Sequence, residues 1–139
     1  MEQTFAEKVK QLNLPADEFI IIGSGVLEQL GIRKSGDIDL VLSDSLYEKT
    51  SQDAVNWKEL RGESGEGYLV NNHLPAEAWR DLPTAEGVED FEGLMEHAAR
   101  YEDLAFVNLS FVRHWKVWRN RPKDIRDVTL IDKFKEETA

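Results

Sequence analysis

The chain of 139 residues carries no cysteine and a formal charge of −10, which excludes disulfides and thiolate metal sites and makes duplex DNA an unexpected partner, since such binding depends on lysine and arginine displacing counterions. Its length suits a single domain over residues 1–139, and 41% hydrophobic residues, with four tryptophans, is too rich for general disorder. No apolar run reaches the ~18 residues of a membrane span, and the start "MEQTFAEKVKQ" lacks the apolar middle of a secretory signal, so a cytoplasmic protein with no membrane partner is expected.

In "TFAEKVKQLNL", Phe5, Val9 and Leu12 recur at near-helical intervals and predict a helix over 3–12, ended by Pro15. "EFIII" reads as a buried strand, and Gly23-Ser24-Gly25 turns it into a helix, "GVLEQLG", closed by Gly31. "GDIDLVLS" is the next strand, after which Ser43, Asp44 and Ser45 offer caps to a helix through "LYEKTSQDAVNW". "KELRGE" and "EGYLVNN" flank Gly65 as a hairpin, and "HLPAEAW" follows as an extended segment. Residues 80–88 read as a loop and "EDFEGLMEHAARY" as a helix whose core face carries Phe91, Leu94, Met95 and Ala98. "LAFV" is a short strand or connector, Asn108 caps a helix through Trp118, and Pro122 opens a last helix reaching Phe134. The pattern predicts an α+β fold: a mixed sheet packed on one side by helices, with further helices at the C-terminus.

Asp37 and Asp39 interrupt an apolar strand. Alternate strand residues share a face, so both carboxylates are expected to project together, framed by Ile38, Leu40 and Leu42. Like charges on one face are destabilising unless water or a cation intervenes, and oxygen-only ligands at this spacing suit Mg²⁺ or Mn²⁺. Glycines after a strand let backbone N–H groups approach an anion, and Ser24 adds a hydroxyl. A solvated carboxylate pair and a tight β-to-α turn are the plain alternatives. Residues 113–126 hold six basic residues against Asp124 alone, a local anionic-ligand site or a solvated helix face. His73, His97 and His114 lack zinc-binding spacing, and "GSG" is not the G-x-S-x-G elbow of a serine hydrolase. The four tryptophans are expected in or near the core, with stacking on a base as the alternative.

"GSG", then a helix, then "DID" in an apolar strand resembles the signature of the nucleotidyltransferase superfamily typified by DNA polymerase beta: Gly-Ser, ten to twelve residues, Asp-x-Asp. Twelve residues separate Ser24 from Asp37. "WKVWRNRPKDIRDVTLID" is similar to a tail of small bacterial nucleotidyltransferase-like proteins. The similarity covers residues 19–43, less clearly 66–79, and again 106–132. It implies a nucleotidyltransferase-like sheet in which Asp37 and Asp39 bind Mg²⁺ or Mn²⁺ on a nucleoside triphosphate such as ATP, and Gly23, Ser24 and Gly25 hold terminal phosphate oxygens. Members carry a third carboxylate on a later strand. Glu77 is the best match, to bind a second metal or activate an acceptor hydroxyl. Lys116 matches the lysine before "RPKD", and with it the resemblance implies a reach to the triphosphate or the acceptor; the "RPKDIRD" charges otherwise lock the tail onto the sheet. The implied reaction moves a nucleoside monophosphate onto an acceptor hydroxyl of a small molecule, protein or RNA end. The alternative is a catalytically weak domain of that fold acting as a partner-binding or antitoxin protein. A missing recognition appendage points to a partner chain or a homo-oligomer.

Overall fold

A computed structural model describes residues 3–139; Met1 and Glu2, counted in the 1–139 domain, lie outside the described residues. In chain order the elements are α1 (Phe5–Lys10), a 3-10 turn (Ala16–Glu18), β1 (Phe19–Ile22), α2 (Ser24–Gln29), β2 (Ile38–Leu42), α3 (Asp44–Ser51), β3 (Trp57–Arg61), β4 (Gly67–Asn71) and β5 (Ala76–Trp79). There follow β6 (Asp81–Thr84), β7 (Gly87–Asp90), α4 (Phe91–Met95), β8 (Ala98–Tyr101), β9 (Leu104–Val107), α5 (Leu109–Arg119) and α6 (Pro122–Thr138). Seven strands form one mixed sheet in the order β3-β4-β5-β2-β1-β9-β8, and β6 with β7 forms a separate hairpin.

β1 lies near the sheet's middle because all four of its residues are apolar and three are β-branched; every one is buried. It pairs antiparallel with β2 and parallel with β9, while β2 pairs parallel with β5. One face carries Phe19, Ile21, Leu40 and Phe106, and against it pack α1 and α2, with Phe5 6.1 Å from Phe106 between ring centres. The opposite face carries Ile20, Ile22, Asp39 and Glu77. Helices on one side alone do not describe the fold. The β6–β7 hairpin brings Leu82 over Ile22, and α4 packs on β1 and β9, so this second face is covered too.

Several boundaries differ from the sequence reading. Thr4 and Glu7 form a capping box that starts α1 at Phe5. α3 stops at Ser51, because the Asp53 carboxylate accepts from the Asn56 backbone and side chain and turns the chain so that buried Trp57 opens β3. Residues 80–88 are not a loop but most of the β6–β7 hairpin. The helix expected from Glu89 to Tyr101 ends at Met95, and Ala98–Tyr101 is a strand, because Glu102 and Asp103 take left-handed conformations (φ 50° and 68°) suited to a two-residue hairpin turn into β9.

Candidate functional site

The sheet brings three segments together. Ile22, the last residue of β1, stands opposite Asp39 on β2, and Asp39 stands opposite Glu77 on β5. Neighbouring parallel strands lie about 4.8 Å apart, so Asp39 and Glu77 project side by side from one face. Next to them the chain turns at Gly23, whose φ of 68° and ψ of −141° suit a residue without a side chain. A Cβ there would lie 3.7 Å from Asp39 Oδ2, so this turn abuts the carboxylate directly.

Asp37 precedes β2 and is exposed. Its segment is anchored by Ser35, whose hydroxyl accepts from Asp37 N at 3.2 Å and donates to Asp37 O at 2.8 Å. Ser24 Oγ lies 2.7 Å from Ser35 Oγ; since the Ser35 proton is directed to Asp37, Ser24 is the donor in that bond. Its hydroxyl thereby ties the Gly23 turn to the Asp37 segment. Arg33 fixes the same loop to α6 through two bonds to the Asp127 carboxylate, of 2.7 and 2.8 Å.

Electrostatics set the carboxylates apart from their surroundings. Burial, then the charges of Glu77 and Asp37, push Asp39 up to about 6, against the opposing pull of Lys123 and Arg119. Glu77 is raised by burial and by Asp37. Among the described residues, none of the three carboxylates has a hydrogen-bond donor or an ion-pair partner on its side chain. Asp124 is the opposite case. Burial works against its charge, but the Arg121 side chain and backbone donate to it, Lys116 and Arg119 add positive charge, and it is held at about 2.

Asp39 and Glu77 open into a cavity of about 490 Å³, within the size range of small-molecule sites. Trp79, Leu82, Trp118 and Arg119 form its other walls. Trp79 is backed by Tyr68, stacked at 4.4 Å. Trp115 donates from Nε1 to the Pro83 carbonyl at 2.9 Å, which fastens the β6–β7 hairpin to α5 as a roof. Arg119 lies over the Trp115 ring at 4.1 Å with Nε 3.9 Å from Asp124, and burial lowers its pKa.

The structure thus gathers Gly23, Asp39 and Glu77 closely, with Ser24 and Asp37 on the adjoining segments. Two further expected contacts sit elsewhere. Lys116 is buried, and its ammonium is 2.9 Å from Asp127 and 3.4 Å from Asp124, so its charge is directed into the α5–α6 packing instead of toward the cavity. Gly25 is buried against α1: a Cβ there would clash with Phe5 Cζ and come within 3.0 Å of Ile21 Cγ2, which accounts for the glycine by packing. The sequence reading did not single out Arg119, Leu82 or Pro83 for the site. For Arg119 a signal existed: Val112, Trp115, Lys116 and Arg119 follow the 3–4 spacing of one helix face, and that face turns inward.

Among the described residues, no three His, Cys, Asp or Glu side chains make a ready-formed metal cage. The donors themselves fit a hard divalent cation, being carboxylate oxygens that repel one another and have no ammonium or guanidinium within ion-pair distance. No helix is long and apolar enough to cross a membrane. Compared with protein-family models, curated proteins and solved structures, the chain finds no significant match in any of the three.

Proposed function

We propose that the chain is a metal-dependent nucleotidyltransferase, in which Asp37, Asp39 and Glu77 bind Mg²⁺ or Mn²⁺ with a nucleoside triphosphate beside the Gly23 turn. The observation that carries this reading is the Asp39–Glu77 pair, held in register on adjacent strands and facing a cavity, with no cationic side chain among the described residues within ion-pair distance of it. A bound divalent ion would supply charge neutralisation for the attacking and leaving oxygens. The rest falls to the chain. An acceptor hydroxyl oxygen forms a bond to the α-phosphorus, the bond from that phosphorus to the β-phosphate oxygen breaks, and pyrophosphate leaves. The hydroxyl proton passes to the Glu77 carboxylate, which stands beside Asp39 at the cavity. Gly23 lets the phosphates come close to the backbone, and the roof made by the β6–β7 hairpin limits water at the reacting centre. Lys116 has no part in this scheme. Gly25 serves it only by seating α2.

A second reading is a domain of the same fold that binds a partner without transfer. It is favoured by the exposed apolar side chains of Val117 on α5 and Ile125 on α6, which a partner could cover. Both are tested by incubating the protein with each α-labelled nucleoside triphosphate and Mg²⁺ or Mn²⁺, alongside Asp37→Asn/Asp39→Asn, and by calorimetry of nucleotide binding with and without Mg²⁺. Label transfer lost in the variant establishes the first reading. Mg²⁺-dependent binding without transfer to the chain, to small hydroxyl acceptors or to RNA favours the second, and no Mg²⁺-dependent binding sinks the nucleotide reading altogether.

A further inference from the structure

The carboxylates divide two clefts of different character. On the Glu77 side, in the tryptophan-walled cavity, Asp39, Glu77 and Asp81 face a single cation, Arg119. On the Asp37 side is a cleft of about 380 Å³, to which Lys123, Arg126 and Arg33 contribute positive charge beside Ser24. Of the two carboxylates there, Asp127 is already matched by Arg33 and by Lys116, which leaves Asp37 alone at the edge shared with the metal-binding candidates.

Lys123 and Arg126 are the unspent charges of this cleft. Both are exposed, and among the described residues neither takes part in an ion pair or hydrogen bond. They are three residues apart in the first two turns of α6 and so share a face. That face is held rigidly. Arg121 bonds Asp124 through its backbone and side chain, Pro122 sets the first turn, and Asp124 and Asp127, on the adjoining side of the helix, are buried against α5 and Arg33. The rigid helix sets where both side chains start, so an anion has only the two side chains themselves left to order.

We infer that Lys123 and Arg126 hold the polyphosphate tail of the nucleotide in this second cleft, with its reacting end toward Asp37 and Asp39. A polyphosphate carries charge on successive groups, so one ligand can satisfy both cations and still reach the carboxylate row. The tryptophan-walled cavity, richer in carboxylates, is left to the uncharged parts of the reactants. The word nucleotide rests on the reading proposed above; the anion site does not, because Lys123 and Arg126 can be tested without a base or a metal.

The test is calorimetry with inorganic tripolyphosphate in metal-free buffer at low and moderate salt. It compares the unaltered protein with Lys123→Gln/Arg126→Gln and with Lys133→Gln/Lys135→Gln, which removes the same charge farther along α6. The expected result is saturable binding that weakens at least tenfold in the first variant, changes less than twofold in the second, and declines with salt. No binding by the unaltered protein, or equal loss in both variants, overturns the inference. Tripolyphosphate binding of this pattern without Mg²⁺-dependent nucleotide binding keeps the anion site and removes the nucleotidyltransferase reading. Mg²⁺-dependent nucleotide binding that ignores Lys123→Gln/Arg126→Gln does the reverse.

Discussion

Asp39 and Glu77 are register partners on adjacent parallel strands, and both hold their protons more tightly than ordinary carboxyl groups. Asp124 and Asp127 are more deeply buried than that half-buried pair yet ionise more readily than usual, because Lys116, Arg121 and Arg33 meet them. The chain pairs its buried carboxylates where they serve packing and leaves half-buried ones unpaired where they face a cavity. A structural role explains the second pair poorly, since unpaired like charges cost stability.

That cost gives a pH dependence whose sign can be worked out. Asp39 releases its proton near 3.8 in the unfolded chain and near 6 in the folded one. Between those values the folded state binds more protons, so stability falls as pH rises through the window and the loss is complete above it, at up to about 3 kcal/mol from about 1.36 kcal/mol per tenfold change. Asp39→Asn is expected to be more stable than the unaltered protein by about 1–3 kcal/mol at pH 7.5, with the difference vanishing near pH 4. Urea unfolding at the two pH values checks this, and a difference independent of pH would contradict it.

Lys116 should behave as a structural residue. Lys116→Met leaves two buried carboxylates short of a partner, which costs about 3–5 kcal/mol. Urea unfolding reads the loss. In whatever fraction stays folded at low temperature, tripolyphosphate affinity is expected to remain within about twofold of the unaltered value, in contrast to the Lys123 and Arg126 variant.

Gly25 tests the packing account of the Gly-Ser-Gly turn. Gly25→Ala drives a methyl group into Phe5 and is expected to cost about 1–3 kcal/mol, and Phe5→Leu in the same chain should recover part of it. Additive losses in thermal unfolding of the single and double variants would show that the contact is not the cause. Gly23→Ala acts differently, through its positive φ and its approach to Asp39, and should weaken Mg²⁺-dependent nucleotide binding in addition to stability.

The core of the fold was legible because its signals are local. "EFIII", "GDIDLVLS" and the Gly65 hairpin carry β-branched runs and turn residues, and each is a strand where expected. The β6–β7 hairpin was hidden by Pro83 and by a turn at Ala85–Glu86, and β8 was hidden by Ala and Arg residues that favour a helix. In the latter case the Glu102–Asp103 turn overrides propensity, without the Asn or Gly that usually announces such a turn. At the site, Asp39 and Gly23 could be read from spacing alone. The pairing of Glu77 with Asp39 depends on which strands become neighbours, a property of the whole sheet. Lys116 was singled out by its place before "RPKD", a signal blind to the helix face, which turns inward.

The central claim is that Asp39 and Glu77 share a divalent cation, and Mn²⁺ binding followed by the electron paramagnetic resonance signal of the free ion tests it most directly. With a non-hydrolysable nucleoside triphosphate analogue present, the protein should remove free Mn²⁺ signal beyond what the analogue removes alone, and Asp39→Asn/Glu77→Gln should abolish that excess. An excess that persists in the variant, or none in the unaltered protein, would contradict the account.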